Sequence, residues 1–404
     1  MNTRVTTTIN LNTDSVLSVA SLQADSPVAI TLKTATDRLE ASGSLLLGNK
    51  ITITAPAGGT VRVGGDFLYT HENAADLSLG LAQLECVGDW QWLEVGGTDF
   101  NLACDSIPDD NFGYLQLIIG QAGHASVVQL VDLHDNHQPG VADALYLFNF
   151  EDDDCKGGIE GLRMLGGSTL VIGDLNVYAM LDIDENGKTD DVIELTRLHD
   201  LFEPGETSYR FNHTAPDGFI NDGWIIRPEM FPPIGAIDAR QPSNPDGSNP
   251  AGWTTIDLVF LGDPPPLPGK NEFEVEVTGG GTPPEIVGVT VGSYKVTVEL
   301  DGPIPHGDGV HGVQTKITHV PSGSKTCVGY LPADVNNDRL SNANDILALI
   351  NHLNDAPGPS LADYQTDIDR SGLTNASDIL RVIDLLNGAG VYDPWNGATL
   401  PECP

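Results

Sequence analysis

The chain has 404 residues, 57 of them acidic and 19 basic, for a formal charge of −38 at neutral pH, and 40% of its residues are hydrophobic. Charge of that sign repels polyanions, which excludes nucleic acid and anionic membranes as partners. The length and apolar content provide for two to four domains with real cores, and no apolar run approaches the ~18–20 residues needed to cross a bilayer. The first eight residues, Met-Asn-Thr-Arg-Val-Thr-Thr-Thr, lack the apolar core of a secretory signal, so the chain reads as a mature or truncated product.

The first 200 residues are expected to form one β domain. Short β-type runs alternate there with Gly, Asp and Asn turns, as in Val61-Arg-Val63, Trp92-Leu-Glu-Val95, Leu115-Gln-Leu-Ile-Ile119, Val127-Val-Gln-Leu-Val131 and Thr169-Leu-Val-Ile172. The turn phrase recurs loosely as Val63-Gly-Gly-Asp-Phe67, Val95-Gly-Gly-Thr-Asp-Phe100 and Ile172-Gly-Asp-Leu175. Glycines at fixed corners with single apolar strands between them suit a parallel β-helix, or solenoid, whose coils bury their inward residues on one another. This text resembles the β-solenoid segments of large exported bacterial proteins, including surface adhesins and some polysaccharide lyases. A β-sandwich is the alternative.

Two polar clusters lie in this region. Asp132-Leu-His134-Asp-Asn-His137 sets two imidazoles beside two carboxylates, a grouping suited to a transition metal, although the Pro139-Gly140 that follows argues for a surface turn. Asp182, Asp184, Asn186 and Asp190, with Lys188 at the carbonyl position and Gly187 at the turn, form a third candidate calcium loop. Its twelfth position is Ile193, with Glu194 as the nearby substitute, so a polar hairpin is the competing reading. Trp90, Trp92, Trp224 and Trp253 offer indole faces that either stack on sugar rings or fill the core.

Residues 201–270 read as a loop-rich linker, because Asp238-Ala-Arg-Gln-Pro-Ser-Asn-Pro-Asp-Gly-Ser-Asn-Pro250 and Asp263-Pro-Pro-Pro-Leu-Pro268 are breaker text. Residues 271–330 return to alternation, with Phe273-Glu-Val-Glu-Val277 and Tyr294-Lys-Val-Thr-Val-Glu-Leu300. They predict a small immunoglobulin-like β-sandwich, short enough to borrow strands from upstream.

The chain then carries one phrase twice, starting at Asp334 and again 33 residues on at Asp367. Oxygen-bearing side chains fall at loop positions 1, 3, 5, 9 and 12: Asp334, Asn336, Asp338, Asn342 and Asp345, then Asp367, Asp369, Ser371, Asn375 and Asp378. Leu340 and Leu373 supply the backbone carbonyl at position 7. A hard cation with six to eight oxygen ligands requires this spacing, so two Ca2+ sites are predicted. Position 6, which needs a sharp turn, is Gly372 in the second copy but Arg339 in the first. A left-handed backbone at Arg339 costs roughly 1–2 kcal/mol, and weaker binding in the first loop is expected.

After each loop an apolar stripe predicts an amphipathic helix: Ile346, Leu347, Leu349, Ile350, Leu353, and then Ile379, Leu380, Val382, Ile383, Leu386. Asn342 and Asn375 stand at the N-cap positions, with Asp345 and Asp378 three residues on. This pair of loops and helices resembles the dockerin type I module of secreted carbohydrate-degrading bacteria, over roughly residues 331 to 390, with 391–404 as a tail. The resemblance implies an all-α fold and capture by a cohesin-like or other surface scaffold protein. Recognition in that family leans on loop positions 10 and 11, often Ser-Thr; this chain has Ala343-Asn344 and Ala376-Ser377. Basic residues usual further along the helices are replaced by residues such as Asn351, Asp355 and Asp384. A different partner, or self-association on calcium, therefore stays open.

Of five cysteines, Cys327 and Cys403 flank the repeated phrase and are placed to tie its two ends together. Cys86 and Cys104 would close a shorter loop and leave Cys155 unpaired; five reduced thiols is the alternative. The calcium loops and the cysteines point to an extracellular or cell-surface address. The expected function is a structural or binding protein attached through a calcium-dependent module. The alternative is a secreted polysaccharide-degrading hydrolase or lyase carrying that module. With 57 acidic residues no catalytic carboxylate pair can be picked out, and no nucleophile elbow, zinc-protease helix or phosphate-binding glycine loop occurs.

Overall fold

The computed structural model describes residues 7–22, 27–71, 73–102, 111–134, 143–148, 159–182, 195–203, 206–242, 252–260, 268–292, 294–305, 307, 310–354, 361–389 and 393–403. They are mainly β, with a small helical region near the C-terminus. The chain divides into two compact units: Met1–Asp132 with Ala142–Glu229, and Leu133–Val141 with Met230–Pro404.

In the first unit the chain visits three parallel sheets in turn, and a fourth, mixed sheet is formed by Gly97–Thr98, Gly113–Tyr114, Asp143–Leu147, Asn176–Met180 and Leu195–Arg197. Thr7–Leu11, Val28–Leu32, Ile51–Thr54 and Leu77–Ser78 pair side by side in the first. Val16–Val19, Arg38–Ala41, Thr60–Val63, Gln83–Cys86, Gln116–Ile119 and Leu162–Met164 do so in the second. The third runs Leu45–Leu47, Phe67–Tyr69, Trp90–Glu94, Val127–Val131, Ser168–Val171 and Gly223–Ile226, with Ser208–Phe211 antiparallel at its edge. Early steps between paired residues are short, 22 positions from Arg38 to Thr60 and 23 from Thr60 to Gln83. Later ones lengthen to 33 from Gln83 to Gln116 and 45 from Leu117 to Leu162 as the intervening segments grow.

Strict alternation explains the registration. In the second sheet Leu39 and Ala41, Val61 and Val63, Leu84 and Cys86, Leu117 and Ile119 are all buried in one core. A one-residue slip would send that whole set outward and bring Glu40, Arg62 and Glu85 inward, so burial pins each coil on the last. Cys86 belongs to this inward row. It is a free, buried thiol, pushed up to about 12 by burial and by the Glu85 charge, so the expected bridge from Cys86 to Cys104 is not made.

Among the described residues the second unit contains two sheets and three helices. Ile237–Asp238, Lys325–Tyr330, Val313–His319 and Phe273–Thr278 form one sheet; Thr255–Val259, Lys295–Leu300 and Ile286–Val291 form the other. They share a core that includes Trp253, Ile256, Leu258, Val296, Val298, Ile317 and Tyr330. Residues 201–270 are thus not the linker their prolines suggested. Ser208–Phe211 and Gly223–Ile226 belong to the first unit's third sheet, while Ile237–Asp238 and Thr255–Val259 complete the sheets of the second. Breaker residues dominate the composition of that interval, but Trp253-Thr-Thr-Ile-Asp-Leu-Val-Phe260 keeps the alternation that pairing requires.

The helices are α1 (Ala343–Leu353), α2 (Asp363–Thr366) and α3 (Ala376–Asn387). Leu349 of α1 and Val382, Leu385 and Leu386 of α3 meet Ile237, Leu331, Ile368 and Trp395 in a third core. Two stripe residues face outward: Leu347 is 56% and Leu380 64% exposed. Each sits one position beyond Ile346 or Ile379, and at 3.6 residues per turn that step swings the side chain out of the buried face. Among the described residues no helix is long and apolar enough to cross a membrane.

Candidate metal centre

Both loops fold by the same set of bonds. In the first, the Asp345 carboxylate accepts from the backbone N–H of Val335 (2.7 Å), Asn336 (3.3 Å) and Asn342 (2.7 Å). The Asp334 carboxylate accepts from Asp338 N (3.1 Å) and Arg339 N (3.0 Å). In the second, Asp378 accepts from Asp369 N (3.1 Å) and Asn375 N (2.8 Å), and Asp367 accepts from Ser371 N and Gly372 N, both at 2.9 Å. The first and last acids of each loop are therefore held through both carboxylate oxygens by backbone donors, which fixes where the second lone pair of each oxygen points.

The asparagines at position 9 serve as caps. Asn342 Oδ1 accepts from Asn344 N (2.7 Å) and Asn375 Oδ1 from Ser377 N (2.8 Å), while their amide N–H groups donate to Leu340 O (3.1 Å) and Leu373 O (3.0 Å). With Asp345 and Asp378 bonded back to the cap backbone, each helix starts on a complete capping box. Left-handed backbone occurs at equivalent places, Asn337 (φ 62°) with Arg370 (φ 62°) and Arg339 (φ 68°) with Gly372 (φ 80°). Arg339 does take the strained conformation its position demands.

Burial dominates the electrostatics of these loops. Asp334, Asp345 and Asp378 are all fully buried. Burial, with the Asp345 and Asp338 charges beside it, raises the Asp334 carboxyl well above the usual range; burial likewise lifts Asp345 to about 7. Carboxylates buried this close to one another are stable only with a proton or a cation among them. In the second loop, carboxylate oxygens of Asp367, Asp369 and Asp378 lie within 4.8 Å of one another. The donor set is all oxygen and mostly anionic, which fits a hard divalent cation.

Arg339 earns its place through tertiary contacts that loop spacing does not reveal. Its side chain is only 12% exposed. Its guanidinium donates to Leu133 O (2.8 Å), Pro401 O (2.5 Å) and His134 Nδ1 (2.7 Å). Burial, reinforced by the Arg339 charge, holds His134 down at about 3, so the ring stays neutral and its Nδ1 can accept. Backbone bonds add to this clamp: Leu400 N to Arg339 O (3.0 Å), Ser341 N to Ala398 O (3.0 Å) and Gly397 N to Ser341 O (2.8 Å). Residues 236–241 lie along the other side. Asn337 Oδ1 accepts from Ile237 N (3.1 Å), and Gln241 donates from N to Ile368 O (2.9 Å) and from Nε2 to Asp369 O (3.1 Å). A Cys327–Cys403 disulfide closes the whole segment.

Residues 332–387 match the Dockerin type I domain family. Dockerin type I domains are calcium-binding modules, and the matched span contains both loops and all three helices. No curated protein and no solved structure matches the chain. In the dockerin segment the side chains expected as ligands lie on the two loops, with the oxygens of Asn342 and Asn375 at the helix starts.

The other expected sites fare differently. Asp182 is buried, with its N–H 3.4 Å from Glu160 Oε1, but Asp184, Asn186, Lys188 and Asp190 lie outside the described residues. His137 also lies outside them, and His134 Nδ1 accepts from the Arg339 guanidinium. Trp92 and Trp253 are core residues; Trp224 is 39% exposed, with the Arg210 guanidinium 5.0 Å above its ring.

Proposed function

We propose that the dockerin segment binds two calcium ions and, so ordered, attaches the chain to a cohesin-like scaffold protein outside the cell. Asp334, Asn336, Asp338, the Leu340 carbonyl and Asp345 would hold one ion, and Asp367, Asp369, Ser371, the Leu373 carbonyl and Asp378 the other. Asn342 and Asn375 would reach theirs through water, as position 9 often does. Calcium neutralises the buried acids and lets the loops fix both helix starts.

The observation that carries this reading is the repetition of one bonding scheme in two loops 33 residues apart, each ending on a capped helix. The outward side repeats as well: Ala343, Asn344 and Leu347 on α1 correspond to Ala376, Ser377 and Leu380 on α3. Both leucines are exposed, which provides two equivalent apolar contact points for a partner. The circuit through three parallel sheets supports a β-solenoid reading of the first unit, a rigid body for the module to anchor.

Calorimetric titration of the calcium-free chain tests the ion sites, and two equivalents bound with a gain in helical circular dichroism is the expected result. Capture on an immobilised type I cohesin, in calcium and again in chelator, tests the partner. Calcium-dependent dimerisation without cohesin capture would replace the scaffold reading with self-association.

A further inference from the structure

We infer that residues 236–241 act as a strap coupling the two calcium loops, with Gln241 as a positioning residue, so that an ion in one loop raises the affinity of the other. The coupling rests on the two-ion reading above. One side of the strap is fixed to the neighbouring sheet. Ile237–Asp238 pairs in parallel with Lys325–Tyr330, Gly329 N donates to Ala236 O (2.7 Å) and Leu331 N to Asp238 O (3.1 Å), and the Tyr330 hydroxyl donates to Arg240 O (2.9 Å). The Arg240 guanidinium closes on the fully buried Asp238 carboxylate at 2.7 and 2.6 Å, which stiffens the strap from within.

The other side is divided between the loops. Toward the first, Ile237 N donates to Asn337 Oδ1 (3.1 Å), and Ala333 N, just ahead of Asp334, donates to Ala239 O (2.8 Å). Toward the second, Ala239 N donates to Tyr364 O (3.1 Å), Gln241 N to Ile368 O (2.9 Å) and Gln241 Nε2 to Asp369 O (3.1 Å). Residue 239 therefore touches both sides of the pair. A second link bypasses the strap: Gln365 Nε2 on α2 donates to Val335 O (3.2 Å), Val335 N donates to Asp345 (2.7 Å), and α2 ends at Asp367. Val335 and Ile368 hold the same position in their loops, and each carbonyl is taken by a glutamine from outside its loop.

These bonds depend on loop shape. Asn337 accepts from Ile237 only with its left-handed backbone, φ 62°, between the ligands Asn336 and Asp338. Asp369 is itself a ligand, and Gln241 holds its carbonyl. Taking a cation away leaves carboxylates facing one another, and the loops relax to part them. The bonds to the strap go with that shape. An ion in one loop restores the shape, fixes the strap, and so removes part of the ordering cost from the other loop. By linkage, the strap raises calcium affinity by the factor by which calcium tightens the strap. Neither twelve-residue phrase encodes this, since Gln241 stands 128 positions from Asp369.

The test is calorimetric titration of the calcium-free full chain with calcium chloride, for the parent, Gln241→Ala and Asp369→Ala. In the parent the second ion should bind more tightly than the first. Gln241→Ala should weaken binding about fivefold, the worth of one neutral hydrogen bond, and Asp369→Ala, which disables the second loop, should also lower the affinity of the first. Two readouts do not depend on heat of binding: calcium should slow amide hydrogen exchange across residues 236–241, and Gln241→Ala should melt with the parent in chelator but below it in calcium. Independent ions in the parent, an unchanged first loop in Asp369→Ala, exchange across 236–241 indifferent to calcium, or an equal melting loss with and without calcium overturns the coupling and leaves two ion sites standing. A parent that binds no calcium overturns the ion sites and the coupling with them.

Discussion

Replacing Arg339 by glycine separates what loop spacing says from what the fold says. By spacing alone the change is a repair: position 6 sits at φ 68°, and glycine removes about 1–2 kcal/mol of left-handed strain. Roughly 0.5–1 kcal/mol of that returns as glycine's extra backbone entropy in the unfolded chain. Against the remainder stand three bonds from a buried guanidinium, to Leu133 O, His134 Nδ1 and Pro401 O. Bonds to a charged group contribute about 1.5–3 kcal/mol each, and their acceptors would be left inside the protein. Allowing for non-additivity within one network, Arg339→Gly should destabilise the second unit by about 2–5 kcal/mol. Urea unfolding in saturating calcium, followed through the buried Trp395, measures this. An equal or higher midpoint for the variant would refute the tertiary role assigned to Arg339. Arg339→Lys, which keeps the strain and loses the planar fork, should fall between the two.

Asp367→Ala should remove one of two calcium equivalents, since losing a charged ligand of about 3 kcal/mol corresponds to more than a hundredfold in affinity; calorimetric stoichiometry reads it, and two sites retained would contradict the ligand assignment. Cys403→Ser opens a covalent loop spanning 76 positions, worth about 4 kcal/mol by chain entropy, and should lower the urea midpoint of the second unit. In chelator the stability should fall as pH rises from about 4 to about 7, because burial lets folded Asp345 hold its proton up to about 7, against 3.8 for an ordinary aspartate. Melting with and without calcium across that window should therefore diverge upward in pH, and parallel curves would count against it. Leu347→Asp combined with Leu380→Asp should abolish partner capture while leaving calcium binding and the melting curve within about 0.5 kcal/mol of the parent.

The paired loops were legible because the bonds within each are local: the oxygen-bearing residues that fold a loop on itself lie within twelve positions, and the helix caps are written into the same residues. The β alternation was legible for the same reason. What the text withheld is long range. Nothing near Ile237 announces that its N–H will reach Asn337, 100 positions away, or that Arg339 will find Leu133. The same holds for Thr255–Val259, whose partner strand is Lys295–Leu300, beyond a proline-rich break. Cys86 was misread because its pairing was judged by sequence distance, whereas alternation within Gln83–Cys86 had already turned its sulfur inward.

The covalent link between Cys327 and Cys403 bears on mechanical load. If a scaffold holds the helices while the rest of the molecule is dragged by flow or by a bound polymer, tension enters at α1 and α3 and leaves through both ends of the closed segment. Those ends meet at one sulfur pair on the strand Lys325–Tyr330. Even if calcium were stripped and the helices unravelled under force, the segment would pay out only its own closed length before the bridge took the strain.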